Sequence, residues 1–431
     1  MEIFKKGIIS FVYSVLGVIL GITIQFFAAK ILGASEFGKY SYFMGLANTV
    51  VLVFSFGTAF YFPKVLQNDI DKRVLISGIF YTSIISLIII SPFIAIYIDF
   101  SSHIDNYLLF LMSFSLICLG FYRSYLIGIG RADSSTKQTT FFVKLIILVL
   151  FLIFIKIFYI SKYSLIYVTI IANVIIVIPF LWSNLKKVKP NILFFKKSYV
   201  FFLIQLSYMF FSEYSKVIQG DFFDYKVVSY LTIAFLIGQS ITIFGQNFAN
   251  VGMPIFARAF IDKDLITIRA KFQEISRINA FFLIPVFLVI FFNAKLILSL
   301  LGNDYLEGAI MLKLILCGAF INSITGPNGT VLLMGNKSHM ELFNGFFKFV
   351  IIVVVILFYG EKYFWGVALA ISLSDILVNL MKTIEVYYLY KIIPFNYRES
   401  LFIIFISILG IFLFYFTSIY FENEIILILF N

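Results

Sequence analysis

The 431-residue chain is 61% hydrophobic and only 13% charged, with a net charge of +11 and a mean hydropathy of +1.02. A soluble domain is about half apolar and about a quarter charged, so this composition excludes ordinary soluble, disordered and fibrous proteins. The apolar runs are continuous, as in 145–158 and 346–359. Because strands of membrane barrels alternate in polarity, these runs indicate helices. The sequence predicts an all-α polytopic membrane protein.

Thirteen segments have the roughly 20 mostly apolar residues that a membrane-spanning helix needs. The predicted spans are 7–29, 40–63, 75–98, 107–128, 140–155, 164–183, 199–217, 227–256, 278–294, 308–334, 342–358, 364–390 and 400–420. The basic stretch 183–190 is the clearest internal boundary. We therefore predict an N-terminal six-helix lobe at 1–190, a C-terminal six-helix lobe at 191–392 and an extra transmembrane segment within 393–431.

The two lobes carry a weak internal repeat that spans six helices. Gly130-Arg131 ends the fourth span before Phe141-Phe142-Val143-Lys144, and Gly335-Asn336-Lys337 ends the tenth before Phe346-Phe347-Lys348. Transporters are often built from such repeats. Chance similarity between Phe-rich helices is the alternative reading.

Lysine and arginine are distributed unevenly between the two sets of loops. Loops on the side of the N-terminus are clearly enriched in them, which predicts a cytoplasmic N-terminus by the positive-inside rule. The opposite loops contain Lys30, Lys39, Lys156, Lys162, Lys226, Lys295 and Lys362. Most of the positive charge is therefore explained by the orientation of the protein in the membrane, and we expect no nucleic-acid partner.

The sequence offers little for a catalytic or cofactor site. All loops are short, and two His and two Cys cannot build a zinc centre of the usual kind. Residues 329–338 have glycine spacing unlike a phosphate-binding loop. Asp69-Ile-Asp71 and Asp262-Lys-Asp264 have the spacing of some glycosyltransferase sites, although such pairs are common in loops. We expect no metal, no cofactor and no enzymatic activity.

Nine charged residues fall inside predicted spans, where charge is costly and marks an interior or a water-filled cavity. They are Arg123, Lys144, Glu213, Lys216, Lys313, Lys348, Asp375, Lys382 and Glu385. Snorkelling of the long side chains to the interface is the alternative for Lys144, Lys313 and Lys348. Asp375, Asn379 and Lys382 share one face of the twelfth span. Lys382 and Glu385 are three residues apart on the same helix, which predicts an ion pair between them. The same spacing predicts an ion pair between Glu213 and Lys216.

Polar residues also line faces of other spans. Gln239, Gln246 and Asn250 share a face of the eighth. In the first, Gly17 and Gly21 belong to a polar face or form a helix-packing site. The stretch Asn322–Gly329 surrounds Pro327 with polar residues, which predicts a break beside a cavity or a kink that serves only packing.

The cations outnumber the acids inside the spans, which favours an anionic cargo such as a phosphate or pyrophosphate headgroup. The predicted substrate-binding residues are Arg123, Lys144, Lys216, Lys348, Lys382, Gln246, Asn250 and Asn379. The predicted ion-coupling or charge-pairing residues are Glu213, Asp375 and Glu385.

Three stretches carry a resemblance to a known family. Ala29-Lys-Ile-Leu-Gly-Ala-Ser-Glu-Phe-Gly-Lys-Tyr-Ser41, Leu126-Ile-Gly-Ile-Gly-Arg-Ala-Asp133 and Pro254-Ile-Phe-Ala-Arg258 resemble the polysaccharide-repeat (O-antigen type) flippases. These belong to the multidrug/oligosaccharidyl-lipid/polysaccharide (MOP) exporter superfamily. Where relatives often have an Asp-Arg pair in the seventh span, this chain has Ser215-Lys216, and Glu213 is a candidate substitute for the missing acid.

The resemblance implies two six-helix lobes around a central cavity, alternating access, and a place in the bacterial cytoplasmic (inner) membrane. It implies a cargo of undecaprenyl-pyrophosphate-linked oligosaccharide repeat units for surface polysaccharide, with a polymerase and glycosyltransferases as possible partners besides the bilayer. Three alternatives stay open: a drug or small-metabolite antiporter of the same superfamily, a membrane enzyme such as an oligosaccharide polymerase, and a purely structural membrane protein.

Overall fold

A computed structural model describes residues 2–58, 78–89, 91, 103–129, 131–157, 162–184, 193–396, 399 and 410. Across these ranges all regular structure is helical, without a β-strand. The α-helices are α1 Glu2–Phe54, α2 Gly78–Ile89, α3 His103–Gly128, α4 Ala132–Ser135, α5 Val143–Ile157, α6 Lys162–Asn184, α7 Leu193–Phe222, α8 Tyr225–Ile261, α9 Leu265–Phe292, α10 Ala294–Ser299, α11 Ala309–Ile324, α12 Asn328–Met334, α13 Ser338–Val355 and α14 Gly366–Tyr390. Two π-helices, Thr136–Phe142 and Ile356–Gly360, and a 3-10 helix, Asn303–Gly308, continue neighbouring α-helices.

Eight helical segments within the described ranges are long and apolar enough to cross a membrane. Each of the first twelve predicted spans overlaps a described helix. The thirteenth, 400–420, lies outside the described residues apart from residue 410. The chain is therefore a multi-pass membrane protein.

The first two predicted spans are joined by one residue, and the predicted loop at 30–39 is absent. Gly33 adopts φ 74° and ψ 169°, and helix continues on both sides of it. Glycine adopts this left-handed φ without the steric cost of a Cβ. The polar residues that suggested a loop are instead helical, and the Lys39 ammonium lies 2.6 Å from the Glu36 carboxylate.

The chain divides into two compact units. Unit 1 comprises Met1–Ile233 and Gly360–Val367, and unit 2 comprises Ala234–Tyr359 and Ala368–Asn431. One core of unit 1 includes buried Val50, Ile79, Phe121 and Phe180 from α1, α2, α3 and α6. One core of unit 2 includes buried Phe256, Phe272, Val331 and Val386 from α8, α9, α12 and α14.

The stretch Ala29–Ser41, which resembles the flippase family, is a packing element in unit 1. A Cβ at Gly38 would collide with the main chain of Tyr225. Beside it, the Tyr42 hydroxyl donates a 3.0 Å hydrogen bond to Asp221. The motif therefore fastens α1 to the end of α7 and the start of α8.

The acid pair at 262–264 has a structural role. Asp264 caps α9, where its carboxylate accepts hydrogen bonds from the Thr267 amide at 3.0 Å and from the Thr267 hydroxyl at 2.6 Å. These bonds favour the ionised carboxylate and lower the pKa of Asp264 below its ordinary value of 3.8. Asp262 lies 3.8 Å from Arg258. The pair at 69–71 lies outside the described residues.

Candidate functional site

The five cations predicted to bind substrate fall into two groups. Three have a carboxylate partner: Lys216 with Glu213 at 3.1 Å, Lys348 with Asp375 at 2.7 Å, and Lys382 with Glu341 at 2.9 Å. Among the described residues, no such partner lies beside Arg123 or Lys144. This division changes which residues can attract an anion, because the carboxylate of an ion pair offsets the positive charge of its lysine.

In unit 1, the predicted pair of Lys216 and Glu213 is present. Asn48 of α1 also donates a 3.0 Å hydrogen bond to the Glu213 carboxylate. The Lys216 side chain crosses α1 at Gly45, where an added Cβ would lie 3.0 Å from the Lys216 Cβ. Glu213 thus provides a carboxylate for Lys216 one turn earlier on the same helix, and it remains the candidate substitute for the missing acid.

In unit 2, Lys382 pairs with a residue that the sequence pattern did not identify. The expected pair with Glu385 is replaced by one with Glu341 in the first turn of α13. Glu385 instead accepts a 2.8 Å hydrogen bond from the Asn344 carboxamide. The Lys382 and Glu341 side chains are only 11% and 7% exposed, so the pair is buried between α13 and α14.

Asp375 and Asn379 lie on the same face of α14 as predicted, and they have different roles. Asp375 binds Lys348 of α13 through its carboxylate. Its main-chain oxygen accepts a 2.8 Å hydrogen bond from Asn379. The Lys313 ammonium lies 5.2 Å from the centre of the Phe291 ring, within cation–π range. Unit 2 therefore neutralises or shields each of its predicted interior lysines.

In unit 1, Arg123 and Lys144 are two cations near enough for one charge to influence the other. Arg123, on α3, is exposed, and Lys144, at the start of α5, is half-buried. The charge of Arg123 acts directly on the Lys144 ammonium. An added Cβ at Gly21 would lie 2.7 Å from the Lys144 Nζ. Because Gly21 is in the middle of the first predicted span, the ammonium lies at membrane depth.

The segment that presents Lys144 to Gly21 begins with the π-helix Thr136–Phe142. An added Cβ at Gly17 would lie 2.8 Å from the Thr140 Cγ2, so both glycines of the Gly17-x-x-x-Gly21 motif face this segment. The motif is therefore a helix-packing site, the alternative that we gave for it. Short π-helices occur frequently at functional sites, because they shift side chains out of the regular α-helical register.

A third cation, Lys137, lies on the same π-helix. Its ammonium is 5.6 Å from the centre of the Tyr13 ring and 5.7 Å from that of the Phe142 ring. The predicted spans leave Lys137 in the loop before 140–155, whereas the structure places it on the π-helix. Unit 1 thus contains the three cations Arg123, Lys137 and Lys144, the last two on one continuous helical segment. We call these three residues the cation cluster.

The predicted break in the tenth span is confirmed. Helix α11 ends at Ile324 and α12 begins at Asn328. Between them, Gly326 has φ 89°. The freed groups find partners, since Asn328 donates to the Thr325 oxygen at 3.1 Å and to the Thr383 hydroxyl at 2.9 Å. The break borders a polar cavity of about 160 Å³, which also includes Asn379 and Lys382 in its lining.

The remaining predicted residues are Gln246 and Asn250 of α8. The side chains of Gln246 and Asn250 lie outside the described part of the structure. Cys118 is buried in the core of unit 1, and Cys317 is half-buried. Within the described ranges, no group of three or more His, Cys, Asp or Glu residues could hold a metal ion.

The fold is shared with known transporters. A lipid II flippase, MurJ, in an inward closed conformation aligns over 98% of this chain and all of its own, with a TM-score of 0.69 and 16% identity. An inward-facing multidrug resistance transporter of the MATE family aligns over 89% of this chain and 98% of its own, with a TM-score of 0.66 and 13% identity. No family model and no curated sequence matches the chain.

An outward-facing MATE transporter gives a TM-score of 0.56 at 12% identity, over 90% of this chain and 96% of its own. Both MATE structures belong to the MOP superfamily. The chain thus has the all-helical, two-lobe fold of that superfamily, and the fold class predicted from the sequence is confirmed. At these identities the comparisons define the fold alone.

Proposed function

We propose that the chain is a flippase for lipid-linked oligosaccharides. It would move undecaprenyl-pyrophosphate-linked repeat units across the cytoplasmic membrane by alternating access, for the synthesis of surface polysaccharide. The observation that carries this proposal is that the Lys144 ammonium lies against Gly21 of α1, with no carboxylate partner for it or for Arg123 among the described residues. A lysine at membrane depth loses hydration, and a nearby cation repels it. A bound anion removes both costs, and a pyrophosphate offers several oxygens to a guanidinium and an ammonium.

The paired lysines play a different part in this proposal. Lys216, Lys348 and Lys382 already have carboxylate partners, so they hold helices together. The predicted substrate residues are thereby reduced, for the anionic group, to Arg123 and Lys144. Glu213 and Asp375 serve as charge partners, while Glu385 remains a candidate for ion coupling because its carboxylate binds the neutral Asn344.

The fold supports the proposal at a coarser level. One protein with this fold is a lipid II flippase, whose name describes a lipid-linked cargo. The MATE neighbours make a drug or small-metabolite antiporter the second candidate. The cation cluster disfavours cationic drugs as cargo. We place the protein in the bacterial inner membrane with a cytoplasmic N-terminus, where a polymerase and glycosyltransferases would work beside it.

Complementation of a strain that lacks the gene tests the proposal. We expect Arg123→Gln and Lys144→Gln each to lower surface polysaccharide at least about tenfold, since a hydrogen bond to a charged group contributes roughly 1.5–3 kcal/mol. Undecaprenyl-pyrophosphate-linked intermediates should accumulate, and drug susceptibility should stay unchanged. Lys295→Gln, an exposed lysine in a predicted outer loop, is the matched control. Normal polysaccharide in both cluster variants at normal membrane abundance would overturn the proposal.

A further inference from the structure

Several helices of unit 2 have an end on the same side of the unit, and three cations lie at these ends. Arg269 is in the second turn of α9, Lys337 directly precedes α13, and Lys391 directly follows α14. All three helices belong to candidate membrane spans. Helix α9 has 28 residues and is therefore roughly 42 Å long, which exceeds a hydrocarbon core of about 30 Å. The three cations thus lie at the level of the lipid headgroups.

Direct contacts bring these helix ends together. The Arg269 guanidinium donates a 3.1 Å hydrogen bond to the main-chain oxygen of Lys391. A Cβ added at Gly335, two residues before Lys337, would collide with the Tyr390 hydroxyl. The turn that carries Lys337 therefore packs against the end of α14. We call Arg269, Lys337 and Lys391 the basic rim of unit 2.

The basic rim differs from the cations around it because its members have no carboxylate partner among the described residues. Three cations in the adjoining parts of α8 and α9 have one: Arg258 with Asp262 at 3.8 Å, Lys271 with Glu274 at 2.6 Å, and Arg277 with Glu399 at 3.0 Å. Lys263 lies between two aspartates in the turn from α8 to α9. At this side of the unit α8, α12 and α14 end and α9 and α13 begin, so the helix dipoles nearly cancel. The basic rim therefore keeps an excess of positive charge.

The exposed face of α14 leads directly to the basic rim. Leu377, Leu380 and Ile384 are exposed on this helix. Tyr388 and Lys391 continue the same face, one and two turns after Ile384. The Lys391 ammonium lies 5.7 Å from the centre of the exposed Tyr388 ring, and tyrosine is enriched at the headgroup level because its ring is apolar and its hydroxyl is polar. Along this face the surface changes from apolar to amphipathic to cationic, which is the order of the parts of an anionic phospholipid.

We infer that the basic rim binds the phosphate of one anionic phospholipid, with the acyl chains along the exposed face of α14. Basic pockets between transmembrane helices are established binding sites for such headgroups. The Arg269 guanidinium has five N–H donors, and its hydrogen bond to Lys391 leaves others for phosphate oxygens. Lys337 and Lys391 add two point charges. The ligand belongs to the bilayer, so the inference goes beyond the proposed function and holds for either candidate cargo.

Lipid binding to the purified full-length protein tests this site. Native mass spectrometry from a neutral detergent measures the affinity for phosphatidylglycerol and for phosphatidylcholine with identical acyl chains. The test variant combines Arg269→Gln, Lys337→Gln and Lys391→Gln. The matched control combines Arg258→Gln, Lys271→Gln and Arg277→Gln, which removes the same number of cations from the same part of unit 2, each of them paired with a carboxylate.

We expect the unsubstituted protein to bind phosphatidylglycerol at least about tenfold more tightly than phosphatidylcholine. Each cation near a membrane surface contributes about fivefold to the affinity for an anionic lipid, so the test variant should lose that preference. The control variant should keep its phosphatidylglycerol affinity within about threefold, because salt at about 0.15 M screens charges beyond roughly 8 Å. Equal affinities of the unsubstituted protein for the two lipids, or equal losses in the two variants, would overturn the inference.

Two further probes separate a bilayer lipid from other sources of phosphate. Inorganic pyrophosphate at about 1 mM should leave phosphatidylglycerol bound, because it lacks the acyl chains. Undecaprenyl pyrophosphate should bind no more tightly than phosphatidylglycerol. Displacement by inorganic pyrophosphate would make this a site for a free anion, and a tenfold preference for undecaprenyl pyrophosphate would make it a cargo site. Either result would overturn the inference.

A single substitution keeps the test decisive if the combined variant does not fold. Lys391 is exposed, and its ammonium lies against tyrosine rings at the surface. We expect Lys391→Gln to fold normally and to weaken phosphatidylglycerol binding about fivefold, whereas Lys271→Gln should leave it within about twofold. Equal affinities in these two variants would contradict the assignment.

Discussion

The Lys382 ammonium and the Glu341 carboxylate, 41 residues apart in sequence, lie 2.9 Å from each other in the interior of unit 2. Lys382→Met should destabilise the protein by about 3–5 kcal/mol, because it leaves a buried carboxylate without its partner. Lys382→Met with Glu341→Leu should recover most of that loss. Thermal unfolding of the purified variants in one detergent measures both. Equal losses in the single and double variants would show that the pair acts independently of its charges.

The pair of Lys348 and Asp375 should contribute less. Its side chains are 17% and 22% exposed, so water screens the attraction more than it does at Lys382. We expect Lys348→Gln to cost roughly 1 kcal/mol, clearly less than Lys382→Met in the same unfolding measurement. The exchange Lys348→Asp with Asp375→Lys should restore part of the stability. A larger loss from Lys348→Gln than from Lys382→Met would contradict this ranking.

Removing Arg123 should have opposite effects with and without an anion. Without one, Arg123→Gln relieves the repulsion of Lys144, and the melting temperature should rise or stay unchanged. Inorganic pyrophosphate at about 100 times its Kd should stabilise the unsubstituted protein by about 2.7 kcal/mol and the variant much less. Differential scanning fluorimetry with and without pyrophosphate measures both effects. If pyrophosphate raised the melting temperature of both proteins equally, Arg123 would not be part of the anion site.

Gly21 offers a milder way to disturb Lys144. An alanine Cβ there would lie 2.7 Å from the Lys144 Nζ, the end of a flexible side chain, so the ammonium should move while the helices stay in place. We expect Gly21→Ala to leave the melting temperature within a few degrees of the original and to weaken pyrophosphate binding severalfold. Gly120→Ala is the control, because its Cβ would meet nothing within 4 Å. Equal pyrophosphate affinity in the two variants would contradict the placement of Lys144.

The cap at Asp264 gives a dependence on pH with a defined sign. The hydrogen bonds from Thr267 lower the pKa of Asp264 in the folded state below 3.8. The stability that it contributes is therefore fully present above the unfolded-state pKa and is lost as the pH falls through the lower, folded-state pKa. Asp264→Ala should lower the melting temperature near neutral pH, and the two proteins should converge in strong acid. A difference in melting temperature that stays constant with pH would exclude the Asp264 carboxylate as the source of the stabilisation.

The helices and the break were predictable because their causes are local. Continuous apolar runs of about 20 residues define spans, and Pro327 with its glycine neighbours defines the interruption before Asn328. The loop predicted at 30–39 was wrong. Ser35, Glu36 and Lys39 are polar enough to indicate a loop, but a single left-handed glycine turns the chain and lets them remain helical.

The site was predictable only where residues share one helix. Periodicity placed Asp375, Asn379 and Lys382 on one face, and it suggested Glu385 as the partner of Lys382 because that residue is one turn away. It has no means of finding Glu341, which belongs to another helix. For the same reason, the sequence did not separate the paired lysines from Arg123 and Lys144. That separation depends on which helices pack together.

Neighbouring side chains and hydrogen bonds restrict the interruption at Gly326. A Cβ at this residue would collide with the Ser276 hydroxyl and lie 3.0 Å from the Phe272 ring. Asn328 is bonded to both Thr325 and Thr383. Breaks in helices often act as hinges, but a hinge needs space in which the backbone can rotate. Here the surrounding atoms fill that space. The gap between α11 and α12 is therefore a fixed notch, and under the proposed function unit 2 would carry it unchanged through a transport cycle.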